Sequence, residues 1–241
     1  MCNGCGYHRV VTARECVVLQ RLLGDGVVAR EADPAALGPS ARVYEEERRA
    51  VERAVDKRRY EYWSARHLAR QALAVLGIEA GPLLNAPDRS PIWPPGVIGS
   101  ISHTTGWCGV AVAHQSAQRR GLGIDAERCG KMSWGVAERV LTPRELARLP
   151  AAPHDLDWAT LLFSAKEAVY KCIYPSVRRF VGFLEVELEL DVSQRTFRAI
   201  AVDSELAASE FWSAHRIEGC WMRGGDLWLT AVTAAQKEAG E

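Results

Sequence analysis

The chain has 241 residues, with 30 Lys and Arg balanced by 30 Asp and Glu. A formal charge of zero and a pI near 7.0 argue against a dedicated nucleic-acid binder, which carries a strongly basic domain. With 48% apolar and 25% charged residues, intrinsic disorder is excluded as the main state. No apolar run reaches the roughly 18–20 residues that cross a bilayer.

The zero hides an asymmetry. Residues 1–120 hold 16 basic and 12 acidic side chains, whereas residues 121–241 hold 14 and 18. One half can face an anion while the other holds a cation. The N-terminus lacks the basic-then-apolar pattern of a signal peptide, so a cytoplasmic address is expected. The seven scattered cysteines fit reduced thiols better than a disulfide framework. Cys2-x-x-Cys5, with His8 and Cys16 nearby, matches no common zinc spacing.

Residues 1–40 are expected to be irregular, with turn signals at Gly24-Asp25-Gly26 and Asp33-Pro34. Residues 43–76 lack Gly and Pro and predict helix, in two pieces breaking near 56–59. There Tyr62, Arg66, Ala69 and Leu73 share one face, and Gly77 closes the helix. The Pro-rich stretch 81–96 predicts a rigid extended connection, followed by Ser100-Ile101-Ser102-His103 and an apolar strand over 108–113. The polar run 115–120 marks the boundary between halves, and residues 121–125 predict a short buried strand. Thr142-Pro143-Arg144-Glu145 has the form of a capping box. A second helix is expected over 157–173, stopped by Pro175. Alternation over 184–191 predicts a strand with one buried and one wet face. A further strand follows over 195–202, then a hairpin turning at Gly224-Gly225.

Several groups in this framework can carry chemistry. Asp125 and Glu127 are two apart on a strand, so both carboxylates project to one side. Two such acids repel unless a cation lies between them, and Mg²⁺ fits that role. A solvated strand end is the competing reading. On the second helix Glu167 and Lys171 are i, i+4 neighbours, with Lys166 about a quarter turn away. A surface ion pair is the alternative, but the helix is apolar nearly all round, and a buried Glu-Lys pair usually has a task. His103 beside Ser102 can bind a phosphate monoester or serve as a structural histidine. Arg58, Arg59, Arg66 and Arg70 form a basic stripe or a solvated helix face.

In order, these motifs are Arg58-Arg59-x-Glu61-aromatic with Arg66-x-x-Ala69-Arg70, then Trp93-Pro94-x-Gly96-x-x-Gly99-Ser100-x-Ser102-His103. Gly123-Ile124-Asp125-x-Glu127 follows, and then Phe163-x-x-Lys166-Glu167-Ala168-x-x-Lys171. This series resembles the 4′-phosphopantetheinyl transferases of the larger two-subdomain type. Those act on carrier proteins of siderophore, polyketide and nonribosomal peptide assembly. The resemblance implies a mixed α/β (α+β) fold. Two similar subdomains, 1–118 and 119–241, each a small mainly antiparallel sheet with helices, would pack as a pseudo-dimer around an active site between them.

The resemblance also implies a residue set. Asp125, Glu127 and Glu167 match metal carboxylates for Mg²⁺, with Mn²⁺ an alternative. Lys171 matches the lysine on the pyrophosphate of coenzyme A, with Lys166 beside it. His103 and Ser102 match the 3′-phosphate segment. Arg58, Arg66 and Arg89 match basic residues near the nucleotide. Glu167 or Glu127 would be the base, and Lys171 would stabilise the leaving phosphate. Asn85 stands where some relatives have lysine, and Ala65 where many have glycine. The implied partners are coenzyme A and an apo acyl or peptidyl carrier protein, with no nucleic acid or membrane, and a monomer suffices. A Mg²⁺ nuclease of the Asp…Glu-x-Lys type is disfavoured because no lysine lies two residues after Glu127 or Glu167. A non-catalytic coenzyme A or carrier-binding module would not need three acids.

Overall fold

The computed structural model describes residues 18–130, 132–149 and 156–238. The N-terminal Cys2, Cys5, His8 and Cys16 lie outside the described residues. In the first half come β1 (Val27–Ala32), α1 (Pro34–Leu37), α2 (Glu45–Arg49), α3 (Asp56–Val75), β2 (Val97–Thr104) and β3 (Trp107–His114). In the second come β4 (Gly121–Arg128), α4 (Trp134–Val140), α5 (Pro143–Arg148), α6 (Leu156–Val177), β5 (Val186–Asp191) and β6 (Thr196–Ala201). The chain then forms α7 (Ser204–Ala208), α8 (Glu210–Ala214) and the hairpin β7 (His215–Gly224) and β8 (Leu227–Gln236).

The class is mixed α/β, with two antiparallel sheets ordered β1-β3-β2 and β4-β8-β7-β6-β5. Strand alternation builds four layers from them. On one side of β3, Cys108, Val110 and Val112 pack under Ala65, Ala69 and Leu73 of α3. On its other side Ala111 and Ala113 face Leu122, Ile124 and Ala126 of β4, so the sheets share one apolar core. The far face of the larger sheet, through Ile217, Trp221 and Val232, packs on Leu161, Ala168 and Val169 of α6. Among the described residues no helix is long and apolar enough to cross a membrane.

One close approach orders the second half. Gly121, Gly123, Asp125 and Glu127 lie on the face of β4 opposite Ile124, toward α6. A Cβ at Gly123 would stand 1.9 Å from the Ala168 carbonyl oxygen, and one at Gly121 would stand 2.6 Å from that of Cys172. Only glycine lets the α6 backbone come this near.

The structure departs from expectation at particular places. Residues 27–32 form a strand that completes the smaller sheet, inside a stretch expected to be irregular. The break in the first helical region falls at residues 50–55, ahead of 56–59. Pro175 does not stop α6, which continues to Val177 although the proline ring removes one i→i−4 bond near the helix end. β5 begins at Val186 after a 3-10 turn, and Glu187, expected to be wet, is only 6% exposed. Glu187 is covered by Thr142 (3.2 Å), Arg144 (3.3 Å) and Arg148 (3.8 Å).

Gly123→Ala should lower the unfolding free energy by about 2 kcal/mol or more, since the obstacle is helix backbone rather than a yielding side chain. Gly135→Ala, with nothing within 4 Å, serves as the control and should be neutral or mildly stabilising. Urea denaturation of both variants measures this. Equal stability of the Gly123 variant and wild type would contradict the close-approach account.

Candidate active site

β2 and β4 are edge strands of their sheets, and they meet at the seam between the halves. Serines rather than a backbone ladder stitch them together. Ser100 Oγ accepts from the Ile124 N–H at 3.0 Å, and Ser102 Oγ donates to Asp125 Oδ1 at 2.8 Å. Both hydroxyls are buried, so these bonds satisfy groups that water cannot reach. One backbone donor on the free edge of β4 is thereby satisfied by a side chain from the other sheet.

From the α6 side Lys171 reaches the same point. Its ammonium donates to Asp125 Oδ1 at 2.6 Å, to Ser102 Oγ at 3.2 Å and to the Ile124 carbonyl at 3.3 Å. Strand β2, strand β4 and helix α6 thus converge on one carboxylate. Asp125 is 4% exposed, and its Oδ2 is buried without a hydrogen-bond partner among the described residues. An orphaned carboxylate oxygen beside a bound lysine is a strong acceptor awaiting a cation or donor.

Glu167 lies one helical turn before Lys171 on the same face of α6. Burial pushes its carboxyl above the usual range, the Lys171 ammonium opposes this, and the Asp125 carboxylate adds to it. A carboxylate with raised proton affinity suits a general base. Glu127 follows Asp125 on the same face of β4, half-buried, opposite Trp228 of β8. Among the described residues no three His, Cys, Asp or Glu side chains form a ready-made cation cage. Asp125 and Glu127 share one face of β4, the Asp125 charge is felt by Glu167, and Lys171 pairs with Asp125.

The other face of β2 carries His103 toward α3. Arg58 Nη1 donates to His103 Nε2 at 2.7 Å, while Glu61 lies 3.6 Å from both Arg58 and His103 Nδ1. Burial lowers the His103 pKa, Glu61 opposes this, and Arg58 and Lys171 lower it further. The surroundings thus oppose protonation of the ring, and Arg58 brings a permanent positive charge to this end. Glu61 belongs to the Arg-rich motif but carried no role in the sequence reading; its i, i+3 spacing from Arg58 was the available signal.

Three predicted residues lie apart from this centre. Lys166, expected beside coenzyme A, is turned 100° along α6 from Glu167 and away from the Lys171–Asp125 pair, although it also lines the cavity beside Glu167. Its ammonium is 1% exposed and donates to Glu145 (2.6 Å) and to the carbonyls of Val140 (2.9 Å) and Phe183 (2.8 Å). Arg66, 5% exposed, donates to the Leu83 carbonyl at 3.1 Å and to Asn85, and stacks on Tyr62 at 3.8 Å. Buried Glu47 accepts from the Leu83 N–H at 2.9 Å and pairs with Arg70. So Arg66 and Arg70 anchor the base of the loop that begins at Leu83, and Glu47, remote in sequence, gave no local sign of it. Arg89 is exposed in that loop, in the left-handed region with φ 70°.

A cavity of about 90 Å³ opens beside Glu167, walled by Tyr170, Ile173, Phe180, Gly182 and Phe183. Larger cavities of about 410 and 810 Å³ lie elsewhere, against β5 and against α8. Volume alone does not locate chemistry, whereas the orphaned oxygen and the converging charges do.

Two substitutions should move the Glu167 titration in opposite directions. Asp125→Asn removes a neighbouring negative charge, so the Glu167 pKa falls. Lys171→Met removes a positive charge, so it rises. Carboxyl-detected NMR titration measures both, and shifts of the same sign would contradict the geometry.

Two family profiles match the chain. The 4′-phosphopantetheinyl transferase N-terminal domain matches residues 46–113, and the 4′-phosphopantetheinyl transferase superfamily matches residues 121–232. The chain is 40% identical over 201 residues to 4′-phosphopantetheinyl transferase Svp of Streptomyces mobaraensis, covering 82% of this chain and 80% of that one. It is 37% identical over 206 residues to 4′-phosphopantetheinyl transferase PptT of Mycobacterium tuberculosis, covering 83% and 88%. The holo-[acyl-carrier-protein] synthase structure from Neisseria meningitidis superposes with a TM-score of 0.42 at 23% identity, over 49% of this chain and 99% of that one. With two relatives this similar over four-fifths of its length, the chain belongs to the 4′-phosphopantetheinyl transferase superfamily.

Proposed function

We propose that this protein transfers the 4′-phosphopantetheine group of coenzyme A to a serine of an apo acyl or peptidyl carrier protein, releasing adenosine 3′,5′-bisphosphate. The observation that carries this reading is the convergence of Lys171, Asp125 and Glu167 with Ser102 at one seam, and of Arg58 with His103 beside it. We take residues 1–118 and 119–241 as the two subdomains, with the active site between them.

The carrier serine hydroxyl attacks the β-phosphorus of coenzyme A. A new P–O bond forms, and the bridging P–O bond breaks with its electron pair passing to the α-phosphate. Glu167, directly or through a water, takes the serine proton, and Glu127 is the alternative base. Its raised pKa gives Glu167 more basicity than an exposed carboxylate has. Lys171 sets a positive charge beside the departing phosphate. Arg58, with His103 and Ser102, receives the 3′-phosphate, and Arg89 the nucleotide phosphates. Arg66 acts through Asn85 rather than by open contact. The apolar cavity beside Glu167 offers the uncharged pantetheine arm a wall away from water.

The orphaned Asp125 Oδ2 and an all-carboxylate donor set suit a hard divalent cation, Mg²⁺ or Mn²⁺, held by Asp125, Glu127 and Glu167. When bound, it would supply positive charge against the diphosphate oxygens. Carrier proteins of siderophore, polyketide or nonribosomal peptide assembly are the proposed acceptors, in the cytoplasm, with a monomer sufficient. A nuclease reading has no matching lysine spacing, and a purely binding module would leave Glu167 without a task.

Incubation with coenzyme A, Mg²⁺ and several apo carrier proteins, followed by intact-mass measurement, tests the proposal. The carrier should gain one phosphopantetheine, and a chelator should abolish the gain. Glu167→Ala should lower turnover by about 100-fold or more while coenzyme A binding survives in part. No mass gain on any carrier would refute the transferase reading.

A further inference from the structure

The loop that begins at Leu83 is a small hairpin. Ile92 N–H donates to the Leu84 carbonyl at 2.9 Å, Ala86 N–H to that of Ser90 at 2.9 Å, and Arg89 N–H to that of Ala86 at 2.8 Å. Its base is clamped to α3 and α2 by Arg66 and Glu47. Its tip crosses the seam to the other half, where Asp88 Oδ2 accepts from the Tyr174 hydroxyl at 3.0 Å and pairs with Arg178 at 3.5 Å. Asp88 Oδ1 meanwhile accepts from the Ser90 N–H and hydroxyl at 2.9 and 2.6 Å, which fixes the turn that holds Arg89.

Tyr174 continues the stripe of α6 that carries Glu167 and Lys171, one turn on, and Arg178 follows just past the helix end with φ 55°. Tyr174 also packs on Tyr170, with ring centroids 5.3 Å apart, and Tyr170 walls the cavity beside Glu167. A chain of contacts therefore runs from the turn of Arg89 to the reacting end of the site. Among the described residues Arg89 makes no ion pair, so its guanidinium is available to an anion.

We infer that Asp88 and Tyr174 are positioning residues, forming a clasp between the two halves that holds Arg89 over bound coenzyme A. The clasp acts on Arg89 and not on the reacting atoms. It rests on the coenzyme A reading above, and it assigns to an exposed turn the task of closing the ligand site across the seam. Tyr174→Phe removes one hydrogen bond and keeps the ring on Tyr170. Asp88→Asn weakens both tip contacts.

Calorimetric titration of the full chain with coenzyme A, together with steady-state kinetics, tests this. Tyr174→Phe and Asp88→Asn should each raise the coenzyme A Kd and KM by about threefold to tenfold, the range one hydrogen bond supplies. At saturating coenzyme A, kcat should stay within about twofold of wild type, as for a lost binding contact. In an Arg89→Ala background, Tyr174→Phe should have no further effect. Unchanged affinity in both single variants, or additive losses in the double variant, would overturn the clasp. Absence of coenzyme A binding by the wild type would instead overturn the reading on which it rests.

Discussion

Everything at the proposed active site depends on how closely α6 lies on β4. Gly121 and Gly123 remove the side chains that would hold the helix off the strand. That contact brings Lys171 to Asp125 and sets Glu167 on the same side. The serines of β2 then complete the cluster from the other half. A charge pair this deep carries a large desolvation cost, which strong Coulombic attraction and added hydrogen bonds must offset. Lys171 meets that condition with three acceptors, whereas Asp125 leaves one oxygen unmatched. The imbalance is where a ligand or cation is best accommodated.

Two lysines on α6 show how position on a helix sorts identical chemistry. Lys166 is enclosed by Glu145 and two carbonyls and ties α6 to α4 and to the turn before β5. Lys171, five residues on, is 27% exposed and lies at the seam. The arginines of α3 divide in the same way. Arg58 faces His103, whereas Arg66 and Arg70 are turned inward to hold the Leu83 loop. A basic stripe in sequence is therefore two populations, one open to anions and one serving as framework.

Much of this was legible in the sequence. The capping box at Thr142, the hairpin at Gly224-Gly225 and the apolar face of α3 follow from local rules, and each is present. The pairing of Asp125 with Glu127 on one face of a strand, and of Glu167 with Lys171 on one face of a helix, is set by period alone. The strand over 27–32 was not legible, because its partner β3 lies about eighty residues away. Glu187 looked solvent-facing because alternation says nothing of a helix that later covers an edge strand. The roles of Glu47, Lys166 and Asp88 were hidden because each partner is distant in the chain.

The central claim is that one ligand site is assembled from both halves. Hydrogen–deuterium exchange with and without coenzyme A tests it most directly, since amide protection reports local stabilisation by ligand. Protection should rise together in β2, in β4 and along α6, because their side chains meet at Asp125. Protection confined to one half, with the other exchanging as in the free protein, would contradict the account.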